Sequence, residues 1–127
     1  MILCVVDDLL FSVKISTAAK ALGSSIYFER NPEQVLPRIR ETQPSLVIFD
    51  LNSATLRPLE VIAAMKGAAA LQHIRTLGYA AHVQADVIRA ARAAGIDEVL
   101  ARSAFSDRLG QILTSASATP GSQAPAE

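Results

Sequence analysis

The chain has 127 residues, half of them hydrophobic and 5% aromatic, a length that suits one domain with a core of Ala, Leu, Val and Ile. Its 12 basic and 12 acidic residues cancel, which excludes a general attraction to nucleic acid or an anionic membrane surface. Cys4 is the single cysteine, so an intrachain disulfide and a multi-cysteine zinc site are excluded as well.

Ile2–Val6 is a short β-branched run that ends at Asp7 and Asp8. Cys4 lies inside it and is expected to be a buried, inert thiol. Phe11, Ile15, Ala18 and Leu22 follow at helical spacing, and Gly23 suits the left-handed stop after a helix. Ser25–Glu29 alternates as a second strand. Asn31-Pro32 sets a cap residue before proline at the first helical position. Val35, Leu36 and Ile39 then share a face, and Pro37 is expected to shorten or bend that helix.

Leu46–Phe49 is apolar at every position, the mark of an inner strand of a parallel sheet buried on both faces, and Asp50 ends it. Pro58–Ala69 reads as a helix with Leu59, Ile62 and Met65 inward. Ile74–Tyr79 is a weaker strand, and Asp86–Ala94 an Ala-rich helix closed by Gly95. Val99–Ala101 is a short strand. Ser103 is placed to cap a last helix carrying Phe105, Leu109, Ile112 and Leu113. The domain is expected over 1–114. The tail 115–127, rich in small residues, Pro and Gly, is expected to be disordered.

A strand–helix unit repeated five times implies an α/β fold, a flavodoxin-like (βα)5 sandwich. The expected sheet is parallel, in order 2-1-3-4-5, with helices on both faces. Sites in such sheets form beyond the carboxyl ends of the strands, where strand order reverses. Asp7, Asp8 and Asp50 follow neighbouring strands in that order, so three carboxylates are expected to converge. Their mutual repulsion calls for a proton or a cation. Hard oxygen ligands suit Mg2+, beside a carboxylate able to accept a phosphoryl group. An aspartate after a strand also serves simply to cap the next helix.

These residues resemble a known family. ILCVVDDLLFSVKISTAAKALG resembles the opening of a response-regulator receiver domain of two-component signalling. PSLVIFDLNSATLRPLEVIAAMK resembles that family's segment around the phospho-accepting aspartate, and ARAAGIDEVLARSAF the stretch before its last helix. The likeness spans about residues 1–114. It implies a signalling domain rather than an enzyme, with Asp50 as phosphoacceptor. Asp7, Asp8, Asp50 and the main-chain carbonyl of Asn52 would bind Mg2+. A histidine kinase or phosphotransfer protein would be the phosphodonor.

The match has gaps. The hydroxyl that senses phosphate falls on Gly78 or Ala80, and Thr76 sits too early in the strand. The phosphate-contacting lysine is Arg102, whose planar fork is not interchangeable with an ammonium. Ser103 stands where proline is usual, and Pro58 where a flexible glycine is. The pattern fits an atypical receiver; the alternative is a pseudo-receiver that binds partners without phosphate.

Output would pass through protein contact at the face of helix four, strand five and helix five. Arg89, Arg92, Arg102 and Arg108 form a basic strip there, and the chain would be a monomer or weak homodimer. His82 is close to the expected pocket, His73 is expected to be solvated, and Tyr79 is a packing residue or a substitute reporter. Glycine-rich phosphate loops of the GxGxxG or GxxxxGK[ST] kind are missing, which argues against a nucleotide-binding enzyme. No charged segment leads into a long apolar stretch, and no apolar run nears the roughly 18 residues of a spanning helix. A cytoplasmic location without membrane contact is therefore expected.

Overall fold

The computed structural model describes residues 1–81 and 85–117. His82 and the tail from residue 118 lie outside the described residues. Strands and helices alternate in chain order: β1 (Ile2–Val5), α1 (Leu9–Leu22), β2 (Ile26–Phe28), α2 (Pro32–Thr42), β3 (Leu46–Asp50), α3 (Pro58–Gly67), β4 (Arg75–Ala80), α4 (Ala85–Ala94), β5 (Glu98–Ala101) and α5 (Arg102–Ser117). The five strands form one parallel sheet in the order β2-β1-β3-β4-β5. This is the flavodoxin-like arrangement that the sequence implies. Among the described residues no helix is long and apolar enough to cross a membrane.

Helices cover both faces and create two cores. One lies under α2, α3 and α4, where Val35, Ile39, Ile62, Met65 and Ala91 pack on Leu3, Val5, Val47 and Phe49. The other lies under α1 and α5, where Phe11, Ile15, Phe105, Leu109 and Leu113 pack on Cys4, Ile48, Leu77 and Tyr79. Each strand alternates its side chains between these cores. That is why β3 is apolar from Leu46 to Phe49 and buried along its whole length, with about 2 kcal/mol of transfer free energy for each large apolar side chain. Cys4 is buried, and burial pushes its thiol up to about 12. At neutral pH it is therefore an unreactive thiol.

Local signals mostly hold. Gly23 ends α1 at φ 71° and donates its N–H to the carbonyls of Ala19 and Lys20. The Asn31 side chain caps α2 by accepting from the Glu33 N–H at 3.0 Å. Three expectations need correction. α2 is not cut short: it continues for 11 residues past Pro37, with its core-facing Val35 and Ile39 fully buried. Ser103 does not cap α5, which begins one residue earlier at Arg102, directly on leaving β5. α5 also runs to Ser117, past the expected end at 114. Ala116 is buried there, and its carbonyl accepts from the Ser45 hydroxyl at 2.8 Å.

Candidate functional site

The carboxyl ends of β1, β3 and β4 make one rim, and the residues singled out in the sequence come to it by different routes. Asp50 is the last residue of the central strand and is 4% exposed. Its Oδ1 accepts the Asn52 N–H at 2.9 Å, and its carbonyl accepts the Ser53 N–H at 3.2 Å. The Asn52 Oδ1 accepts the Ala81 N–H at 2.6 Å, tying the loop after β3 to the end of β4. Asp7 is exposed, and its Oδ2 accepts from the Ser53 hydroxyl at 3.1 Å. Asp8 has extended backbone and caps α1, its Oδ1 accepting the Phe11 N–H at 3.1 Å. Arg102 opens α5, with Nη2 3.6 Å from Asp8 Oδ2 and its guanidinium 5.0 Å from the Phe11 ring centre.

Charge is poorly compensated here. Burial drives the Asp50 carboxyl above its ordinary range. The Asn52 N–H and the Arg102 charge work against that shift, while Asp7 and Asp8 add to it. Tyr79 is the cross-strand partner of Asp50 in the sheet register. Burial, then the charges of Asp50 and Asp8, push its phenol well above normal. Its ring meets Phe11 at 4.9 Å, tilted by 31°, and stacks on Phe105 at 4.7 Å. Among the described residues, the Tyr79 hydroxyl and the Arg102 Nε are buried without a hydrogen-bond partner. Packing thus accounts for the Tyr79 ring but not for its hydroxyl.

The structure brings Asp7, Asp8, Asp50, Asn52 and Arg102 to one rim, but it does not close the expected cup. Among the described residues no three His, Cys, Asp or Glu side chains are grouped so as to hold a metal ion. The reason is local: Asp8 is spent on the α1 N-terminus and Arg102, Asp7 on Ser53, and Asp50 on the Asn52 N–H. The donor chemistry nonetheless fits a hard divalent cation, since every group is a carboxylate or amide oxygen and the buried Asp50 charge is under-compensated.

The missing hydroxyl has a steric side. A Cβ on Gly78 would lie 2.8 Å from Ile96 Cδ1 and from Leu51 Cγ and Cδ1, so a side chain there requires both neighbours to shift. Ala80 is buried at the end of β4, paired with Ala101. Thr76 is at the other end of the strand, where its hydroxyl donates to Asp97 Oδ2 at 3.0 Å and accepts the Asp97 N–H at 2.9 Å. Before Pro58, Arg57 adopts a left-handed φ of 48°, so the stiff proline is accommodated by strain in its neighbour. Much of the basic strip is neutralised within the chain: Arg89 pairs with Asp86, Arg108 with Glu98, and Arg102 with Asp8.

Ser53 escaped sequence reading. Its hydroxyl donates to Asp7 and accepts the Leu56 N–H at 3.2 Å, so it holds both the acidic turn and the loop after Asp50. A serine three residues past the key aspartate in a turn-rich stretch is a weak signal, because such residues commonly bond nearby backbone.

No family model matches the chain, and no curated protein sequence does. Solved structures do resemble it. A response regulator from Hahella chejuensis superposes with a TM-score of 0.79 at 22% identity, covering 89% of this chain and 91% of that one. The response regulator CheY4 of Vibrio cholerae gives 0.76 at 15% identity, covering 91% and 96%. The Mn2+-bound form of response regulator Rcp1 gives 0.71 at 21% identity, covering 87% and 89%. With the sheet order and the two helical layers described above, these likenesses show that the chain has the fold of the response-regulator receiver domains.

Proposed function

We propose that the chain is an atypical receiver domain in two-component phosphorelay signalling, with Asp50 accepting a phosphoryl group from a histidine kinase or phosphotransfer protein. One observation carries this reading: the carboxylate that ends the central strand is buried, at the rim where β1, β3 and β4 finish and where Asp7, Asp8 and Arg102 also lie. An ionised Asp50 oxygen attacks the phosphorus of a phosphohistidine. The P–N bond breaks, the electron pair leaves with the imidazole nitrogen, and an acyl phosphate forms.

That product adds negative charge to an already acidic rim, so cations are required. Asp7, Asp8, Asp50 and the Asn52 carbonyl would hold Mg2+, which when bound offsets charge on the phosphoryl oxygens. Arg102 would supply a second positive group in the place of lysine, releasing Asp8 to do so. No hydroxyl at Ala80 is present to report the phosphoryl group, so Arg102 is the residue whose movement couples the rim to α5. Output then passes by protein contact at the face of α4, β5 and α5.

A specific observation favours a second reading, a phosphorylation-independent pseudo-receiver. Asp8 is already held by the Phe11 N–H and by Arg102, an internal cation in place of an external one. The two readings part in one titration. Mg2+ is added to the protein, followed by beryllofluoride as a phosphoryl mimic, and backbone amide shifts are followed. The first reading expects saturable shifts at residues 50–53, 80, 81 and 102 that vanish in Asp50→Asn. An unresponsive rim discards it in favour of the second.

A further inference from the structure

Three buried side-chain polar atoms lack a hydrogen-bond partner among the described residues: the Ser12 hydroxyl, the Tyr79 hydroxyl and the Arg102 Nε. Such atoms are uncommon in folded proteins, and each calls for a reason. Ser12 lies inside α1, where a serine hydroxyl readily turns to the carbonyl four residues back. The other two lack that freedom. The Tyr79 ring is fully buried against Phe11 and Phe105, which fixes the position of its phenol. The Arg102 guanidinium lies 5.0 Å from the same Phe11 ring. Two unmet donors therefore gather around one side chain at one end of the sheet.

Both belong to the surroundings of Asp50. Tyr79 is its partner in the register of β3 and β4. Side chains alternate along a strand, and Ile48 shares a core with Tyr79, so Asp50 and Tyr79 project from the same face of the sheet. Among the charged groups that act on the phenol, Asp50 is the strongest and Asp8 the next. Yet Asp50 Oδ1 accepts the Asn52 N–H, and the phenol reaches no acceptor. We infer that the Tyr79 hydroxyl is held in place as a hydrogen-bond donor to the phosphoryl group on Asp50. This rests on Asp50 as the acceptor proposed above. A phosphoryl group there adds strong acceptor oxygens beside the fixed ring. The phenol is suited to donate, since burial and the nearby carboxylates keep its proton on. Phenylalanine would fill the same space without burying an unpaired hydroxyl, so packing alone does not favour tyrosine.

The chain has two tyrosines, and Tyr27 is 40% exposed, so Tyr27→Phe leaves Tyr79 as the one phenol to observe. Tyrosine isotopically labelled at Cζ reports its hydrogen bonding by NMR. Mg2+ and then beryllofluoride are titrated into this protein, with amide shifts followed alongside, and into Tyr79→Phe in the otherwise unaltered chain. The Tyr79 Cζ signal is expected to move downfield in step with the rim amides, and to stay still in Asp50→Asn. Tyr79→Phe is expected to bind beryllofluoride about tenfold more weakly or worse, the loss of one hydrogen bond to a charged group. Rim amides that respond while the Cζ signal stays still overturn the inference and leave Asp50 as the acceptor. So does a folded Tyr79→Phe that binds as tightly as the unaltered chain. A rim that does not respond in the unaltered chain removes both. The Cζ measurement requires no change at Tyr79, so it decides the matter even where Tyr79→Phe folds poorly.

Discussion

The two ends of the sheet treat a carboxylate in opposite ways. At the amino ends of β4 and β5, Asp97 accepts the Thr76 N–H at 2.8 Å, the Thr76 hydroxyl at 3.0 Å and the Lys66 ammonium at 3.2 Å. Partial burial opposes its charge, but the Thr76 N–H and hydroxyl and the Lys66 ammonium outweigh that and hold its pKa below the ordinary range. At the carboxyl ends, Asp50 is more deeply buried and faces Asp7 and Asp8, with Arg102 as a counter-charge already engaged by Asp8. One end is closed by satisfied polar groups and supports the fold. The other keeps an unbalanced charge, an orphan phenol and a strained Arg57, features that cost stability and are retained where a site needs them.

Variants that break or sharpen this contrast range from large to negligible effect. Gly78→Ala, beneath the rim, forces a methyl against Leu51 and Ile96 and is expected to cost about 3 kcal/mol in urea denaturation. Asp97→Ala leaves the Thr76 N–H and hydroxyl short of a partner and is expected to cost about 2 kcal/mol by the same method. Asp50→Asn has the opposite sign, a gain of about 1 kcal/mol at neutral pH, because it removes a charge that burial disfavours. Arg89→Ala breaks only the exposed pair with Asp86 and is expected to change stability by less than about 0.5 kcal/mol.

pH separates the two carboxylates further. Asp50 has a folded pKa above its unfolded one, so its favourable contribution exists below the ordinary carboxylate pKa and is lost as pH rises through the raised value. Asp97 is the reverse: its contribution is present above the ordinary pKa and is lost as pH falls through the lowered value. Carboxyl-carbon NMR titration is expected to place the Asp50 midpoint above that of Asp97. The Asp50→Asn gain should fade in acid, and the Asp97→Ala cost should fade there too.

Much of this architecture was legible in advance. The unbroken apolar run of β3, the Asn31-Pro32 start of α2 and the Gly23 stop of α1 each follow from local chemistry that tertiary structure did not override. Placing Asp7, Asp8 and Asp50 at one rim follows from strand order. Their side-chain directions did not, because Asp8 is shared between the nearby Phe11 N–H and the distant Arg102, and Asp7 turns to the distant Ser53. Asp97 was passed over for the same reason, since Thr76 and Lys66 are 21 and 31 residues away. The surface of α1 also hid its character. Helical spacing picked out Phe11 and Ile15 as the inward positions, but Leu22, read on the same face, is exposed at the end of the helix.

The claim on which the functional account rests is chemical acceptance at Asp50. Intact-mass spectrometry after incubation with Mg2+ and a small phosphoramidate donor addresses it directly. A single added phosphoryl group is expected, labile as acyl phosphates are, present in Asp97→Ala and missing from Asp50→Asn. No added mass in the unaltered chain, or an addition that persists in Asp50→Asn, would contradict the account.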